Sequence, residues 1–61
     1  MKAGDMVRVV NPESPYLGTT GHVVGRSEQR EGRWVIRLTT IGQTVLMVES
    51  DVDVINGTQR D

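Results

Sequence analysis

The chain has 61 residues, a net charge of −1, no cysteine and only two aromatic residues. A chain of this length forms at most one domain with a small core, and the lack of cysteine excludes disulfide bonds and thiolate metal sites. No apolar run approaches the roughly 20 residues that cross a bilayer, and the first residues lack the apolar segment of a signal peptide. We therefore expect a soluble, cytoplasmic protein.

Short β-branched runs separated by glycine or polar turns predict an all-β fold. Alternation places Val7 and Val9 on one face of the first strand. In the third strand, Trp34, Ile36 and Leu38 share a face, and we expect Trp34 to serve the core. The five predicted strands cover residues 6–10, 20–25, 33–39, 44–49 and 52–55.

The fourth predicted strand is apolar on both faces. We expect Leu46 and Val48 to lie on one face, and Val45 and Met47 on the other. The face with Val45 and Met47 is left available for pairing with a second copy, so a homo-oligomer is possible.

The connections complete the predicted architecture. They comprise a long loop at 11–19, a polar loop at 26–32, a tight turn at 40–43 and a possible 3₁₀ turn at 50–53. Five strands are too few for a sandwich, whereas a rolled sheet hides its apolar face and protects its edges. We therefore predict a five-stranded SH3-like barrel over residues 1–56, followed by a disordered tail at 57–61.

Two segments resemble the KOW-type SH3-like barrels of ribosomal proteins and NusG-type transcription elongation factors. "GDMVRV" and "SPYLGTTGHVV" match the family pattern at Gly4, Asp5, Val7, Val9, Pro15, Tyr16, Gly18, Gly21 and Val23. The resemblance covers residues 4–55 and implies a barrel that binds RNA or protein. Leu17 stands where the family carries a lysine, which removes a phosphate contact and favours a protein partner.

Two other resemblances are local. "VRVVNPESPY" is similar to the start of the small peripheral SH3-like subunit of photosystem I, which implies a peripheral subunit of a photosynthetic complex. "GDMVR" resembles the plasmid-encoded type II dihydrofolate reductase, but "VLMV" at 45–48 replaces the Val-Gln-Ile-Tyr strand of its active site. We therefore expect no enzymatic activity, no catalytic residue and no cofactor.

The first loop and the turn between strands 3 and 4 hold the candidate partner-binding residues. Pro15 stiffens the loop and so presents Tyr16 and Leu17 at a defined place. The resemblance to the NusG-type family implies a partner contact at Ile41, in the turn. We expect Tyr16, Leu17 and Ile41 to bind a protein or ribonucleoprotein assembly.

Arginines in or beside the second loop form a second candidate site, for RNA or an acidic protein. They are Arg26, Arg30, Arg33 and Arg37. Glu28 and Glu31 dilute their charge, and RNA binding by a KOW module of the transcription or translation machinery is the alternative function.

The remaining polar residues receive structural roles. We expect His22 to be a surface strand residue, and the acidic residues at 49, 51 and 53 to be solvated turn residues that pair with arginines, with no metal site. Asp5 is expected to accept backbone N–H bonds at the entry to the first strand. Gly18 and Gly21 are both expected to adopt positive φ.

Overall fold

A computed structural model describes residues 1–55, which form one antiparallel sheet of five strands. The elements are β1 (Met6–Val9), β2 (Thr20–Arg26), β3 (Trp34–Leu38), β4 (Gln43–Met47), a 3₁₀ helix (Glu49–Asp51) and β5 (Val52–Val54). The all-β prediction and the 3₁₀ turn are confirmed. No helix in this part of the chain is long and apolar enough to cross a membrane. The proposed tail at 57–61 lies outside the described residues.

The strand order across the sheet is β4-β3-β2-β1-β5. Three of the four neighbouring pairs follow the chain, because short connections favour antiparallel hairpins. The fourth pair brings β5 back beside β1, with Val7 opposite Val54 and Val9 opposite Val52. No pairing joins β4 to β5 in the described residues, so closure into a barrel stays a prediction.

The core consists of apolar side chains from all five strands. Strict alternation in β1 buries Val7 and Val9, as predicted. In β3 alternation buries Ile36 and Leu38, while Trp34 is half-buried and packs against the core. The buried set is Val7, Val9, Val23, Ile36, Leu38, Met47 and Val52.

The prediction for β4 is wrong in its choice of face. Ile36 lies directly opposite Val45, and residues directly opposite each other share a face of the sheet. Since Ile36 is fully buried, Val45 and Met47 face the core, whereas Leu46 is 39% exposed. When both faces of a strand are apolar, alternation does not show which face is buried. In β4 the pairing with β3 determines that Val45 and Met47 face the core.

A β-bulge interrupts the pairing of β2 with β3. Val23 lies opposite Ile36, but the next pair is Gly25 with Val35, which leaves Val24 as an extra residue. Strict alternation from Val23 would have sent Arg26 to the outer face. The bulge instead places Arg26 directly opposite Trp34, on the face that packs the core.

The two glycines of the first loop region serve different purposes. Gly18 has a φ of 88°, as predicted, in the left-handed region that favours glycine. Gly21 does not have positive φ, so that prediction is wrong. A Cβ on Gly21 would overlap the carbonyl oxygen of Arg37 and lie 2.8 Å from its carbonyl carbon. Gly21 is therefore required by the close approach of β3.

Candidate binding surfaces

The first loop is a fixed structure held by its own polar side chains. The amide of Asn11 accepts a bond from the Glu13 N–H (2.9 Å) and donates one to the Asp51 carboxylate (2.9 Å). The Thr19 hydroxyl donates to the carbonyl of Tyr16 (2.7 Å). Together these bonds anchor both ends of the loop, one of them to the 3₁₀ helix.

The turn between β3 and β4 is joined to the start of β2 by two threonines. The Thr20 N–H donates to the Thr40 hydroxyl (3.1 Å), and the two hydroxyls lie 3.1 Å apart. The Thr40 N–H also donates to the Thr20 carbonyl (3.4 Å). Since Leu17 precedes Thr20 by three residues and Ile41 follows Thr40, both lie at one end of the sheet.

We call this end of the molecule the Leu17–Ile41 surface, defined by these two residues. Leu17 is 52% exposed and Ile41 is 46% exposed. Tyr16 is half-buried and packs against the core, so its side chain holds the first loop against the sheet. Residues 11–20 and 38–44 contain one charged side chain, Glu13. The two loops therefore carry little charge of their own, while Arg8 lies opposite Thr20 and Arg37 contacts Thr44 on the neighbouring strands.

The opposite end of β2 and β3 forms a concave site of about 270 Å³, which we call the Arg–Trp site. The guanidinium carbon of Arg26 lies 5.2 Å from the centroid of the Trp34 ring, within the range of a cation–π interaction. The residues lining the site are Arg26, Ser27, Glu31, Gly32, Arg33, Trp34 and Glu49.

The loop that borders the Arg–Trp site is ordered by Ser27. Its hydroxyl accepts bonds from the N–H groups of Gln29 (3.2 Å) and Arg30 (3.1 Å). The Ser27 N–H donates to the carbonyl of Arg33 (3.0 Å), which closes the loop. A serine hydroxyl can accept bonds from the N–H groups two and three residues ahead of it, so Ser27 in this polar segment is the sequence signal for the turn.

The electrostatics of the Arg–Trp site are balanced. Arg26 and Arg33 supply two positive charges, and Glu31 and Glu49 supply two negative ones. A carboxylate oxygen of Glu49 lies 3.8 Å from the amino group of Met1. The 3₁₀ helix brings Glu49 from a distant part of the chain to the same site as Arg26 and Arg33, the kind of residue with which it was expected to pair.

The sheet separates the four predicted arginines. Arg26 and Arg33 line the Arg–Trp site, whereas Arg30 lies in the adjoining loop and is not among the lining residues. Arg37 alternates with buried neighbours and therefore points to the outer face, where it donates to the Thr44 hydroxyl (3.3 Å). The four cations thus do not form one surface.

The other predicted polar roles have mixed outcomes. The Asp5 carboxylate accepts a bond from the Lys2 N–H (3.0 Å), so its predicted capping role is confirmed. Asp51 accepts a bond from Asn11 instead of pairing with an arginine. His22 lies half-buried in β2, opposite Met6. Within residues 1–55, no three His, Asp or Glu side chains are grouped so that they could hold a metal ion.

No family model, curated protein or solved structure matches the chain. The resemblances to KOW-type barrels and to the photosystem I subunit therefore rest on their short motifs alone, and both stay predictions.

Proposed function

We propose that this chain is a small non-catalytic binding module that docks onto a protein, alone or within a ribonucleoprotein assembly, through the Leu17–Ile41 surface. The observation that carries the proposal is that Leu17 and Ile41 are both exposed on loops that the Thr20–Thr40 bonds connect. Single exposed apolar residues are ordinary, but two that lie on connected loops can be buried against one partner.

The fixed loops reduce the entropy lost on binding. The Asn11–Asp51 bond and the Thr20–Thr40 bonds already hold the loops in place, so a partner need not order them. Leu17 and Ile41 each retain roughly half of their surface for burial against a partner. Apolar contacts at the centre of such a surface commonly provide most of the binding energy.

The composition of the surface also indicates the kind of partner. The two loops that carry the Leu17–Ile41 surface contain one charged residue, Glu13, and no cation of their own for a phosphate backbone. A partner that buries Leu17 and Ile41 should itself present apolar side chains, and its affinity should depend weakly on salt.

The test replaces both residues by serine, Leu17→Ser with Ile41→Ser, in a chain used to capture partners from extracts of its own cell. The matched control is Val24→Ser with Val54→Ser, since those residues are 52% and 49% exposed elsewhere on the protein. A captured partner is then purified, and its affinity for each chain is measured by calorimetry.

We expect the first double variant to bind the partner at least about tenfold more weakly, which corresponds to about 1.4 kcal/mol, while the control binds normally. Circular dichroism should show that both variants keep the sheet. Equal affinities for the two variants would show that the partner docks elsewhere.

A second candidate function, RNA binding, is favoured by one observation at the opposite end. Arg26 stacks over Trp34, and Arg33 lines the same concave site. An arginine plane and an indole provide stacking surfaces for unpaired bases, and the two cations attract phosphates. Glu31 and Glu49 oppose this attraction, so we rank RNA second.

This candidate is tested with a fluorescently labelled single-stranded RNA at several salt concentrations. Binding should weaken as salt rises, and Arg26→Gln with Arg33→Gln should weaken it more than Arg30→Gln with Arg37→Gln. An RNA affinity that is undetectable at low salt would remove this candidate and leave the first untouched.

A further inference from the structure

The β4 strand leaves one edge of the sheet open. It pairs with β3 alone, so alternate residues along its other side direct backbone N–H and C=O groups away from the sheet. Its five residues, QTVLM, include no charged residue, proline or glycine, and no bulge interrupts its pairing with β3. Uncharged β-prone segments of this kind readily pair with other strands.

The opposite edge of the sheet is protected in the usual way. The β5 strand has three residues, and its central residue is Asp53. It follows the 3₁₀ helix, whose Asp51 carbonyl accepts bonds from the N–H groups of Val10 and Asn11. A short strand and a charged residue both discourage pairing with another chain at an edge. The β5 strand has both features, whereas β4 is longer and has no charged residue. This contrast leaves β4 as the unprotected edge of the described sheet.

We propose that the β4 edge pairs with β4 of a second copy of this chain, in an antiparallel two-fold dimer with a continuous ten-stranded sheet. Centred on Val45, this pairing sets Val45 opposite its own copy. It also sets Thr44 opposite Leu46, and Gln43 opposite Met47. Every residue of β4 gains a partner, and no cross-strand pair brings like charges together.

An apolar row of the sheet continues across this dimer. On the inner face, the row formed by Ile36 and Val45 continues into Val45 and Ile36 of the second copy, so the core of one copy extends towards that of the other. On the outer face, exposed Leu46 lies opposite Thr44 of the second copy, and its side chain is partly covered there. The interface therefore buries apolar side chains of the inner face as well as pairing backbone groups.

The charges near the edge do not oppose the pairing. Arg37 of β3 lies beside Thr44, with a nitrogen to oxygen distance of 3.3 Å. The two copies of Arg37 would be separated by three strand spacings, or about 14 Å, which exceeds the Debye length of about 8 Å at physiological salt. An extended peptide could pair with the same edge, and the experiment below separates it from a second copy.

The first test compares sedimentation of the purified chain with that of Thr44→Lys combined with Leu46→Lys. Both residues are exposed, so the fold should survive, but lysines of the two copies would lie opposite each other. The control Asp53→Lys changes the net charge by the same amount at the β5 edge. We expect the parent chain and the control to sediment at twice the mass of one chain, and the lysine pair to sediment as a monomer.

A second variant decides the matter if the lysine pair fails to fold. The chain has no cysteine, so Val45→Cys introduces a single thiol at the centre of the proposed interface. Directly opposite residues bring their Cβ atoms to about 4.5–5.5 Å, close enough for a disulfide after a small adjustment. We expect mild oxidation to yield a covalent dimer from Val45→Cys and none from Asp53→Cys.

Two outcomes would overturn the proposal. A parent chain that remains monomeric at every concentration would leave the edge to an extended peptide from another protein. A parent dimer that persists in the folded lysine pair, and that does not cross-link through Val45→Cys, would place the interface elsewhere. Neither outcome bears on the Leu17–Ile41 surface, which lies outside β4.

Discussion

At the Thr20 end of the β2–β3 pair, two loops that contain one charged residue present Leu17 and Ile41, whereas at the Arg26 end a concave site combines an indole with both signs of charge. The two ends are built on the same two strands and lie only a few residues apart along each. The difference shows that the same pair of strands carries loops of different composition at its two ends, and that the register of β2 adds the Arg26–Trp34 contact at one of them.

Two features of β2 distinguish its ends. Near the first end, Gly21 allows the backbone of β3 to approach so closely that no side chain fits. Near the second end, the extra residue Val24 reverses the alternation and turns Arg26 towards Trp34. A regular strand would have neither the close approach nor the stacked arginine.

The largest effect is expected from Gly21→Ala. Its Cβ would overlap backbone atoms of Arg37, which cannot move aside without breaking the pairing of β2 with β3. We expect the free energy of unfolding to fall by about 3 kcal/mol, as in severe overpacking. A domain of this size has about 3–9 kcal/mol in total, so the loss is at least a third of its stability and should lower the midpoint of a urea titration strongly.

Gly25→Ala is the control in the same strand. Gly25 has no atom within 4 Å of an added Cβ, and its φ is not positive. We expect a change within about 0.5 kcal/mol. If the two alanine variants were equally stable, the close approach of β3 to Gly21 would not exist in solution.

Much of the fold could be predicted from residue patterns. Alternation in β1 and β3 identified four buried residues, because one face of each strand is clearly more apolar than the other. The same reasoning failed in β4, where both faces are apolar and only pairing with β3 distinguishes Val45 from Leu46. It also could not detect the bulge, since Val24 fits an ordinary strand by composition.

An intermediate effect is expected at the loops that border the two ends. Asn11 ties the first loop to Asp51 of the 3₁₀ helix, while Ser27 bonds only within its own loop. We expect Asn11→Ala to lower the free energy of unfolding by about 1–2 kcal/mol, because it removes a bond to a carboxylate from a partly buried place. Ser27→Ala, in an exposed loop, should cost about 0.5 kcal/mol.

Urea titrations of the two variants test this difference. A cost for Ser27→Ala equal to that of Asn11→Ala would mean that the long-range bond adds nothing to the stability of the first loop. Reduced protection of the Gly18 N–H from hydrogen exchange in Asn11→Ala would locate the loss, since that group donates to the Val9 carbonyl.

The candidate sites were less predictable than the fold. Leu17 was expected on the loop that Pro15 stiffens, and Ile41 was expected from the resemblance to the NusG-type family, and both are exposed. The arginines were grouped by their closeness along the chain, but alternation sends Arg37 to the outer face and the bulge sends Arg26 inward. The spacing of residues along the chain does not determine the register between two paired strands.

The smallest effect is expected from Arg26→Gln, and it tests the consequence of the bulge directly. The Arg26 side chain is exposed, so its stacking on Trp34 should contribute only about 0.5–1 kcal/mol to stability. Trp34 is the single tryptophan, so the fluorescence of the protein reports on the surroundings of this one ring, which include Arg26. We expect Arg26→Gln to change the emission of the folded protein and to lower the urea midpoint slightly.

Arg30→Gln removes the same charge from the adjoining loop and is the matched control. Because Arg30 is not among the residues that line the Arg–Trp site, its loss should leave the Trp34 emission unchanged. Equal spectra for the parent and both variants would mean that Arg26 does not lie over the ring in solution. The bulge would then have no effect on the Arg–Trp site, and the difference between the two ends would depend on the loops instead of on β2.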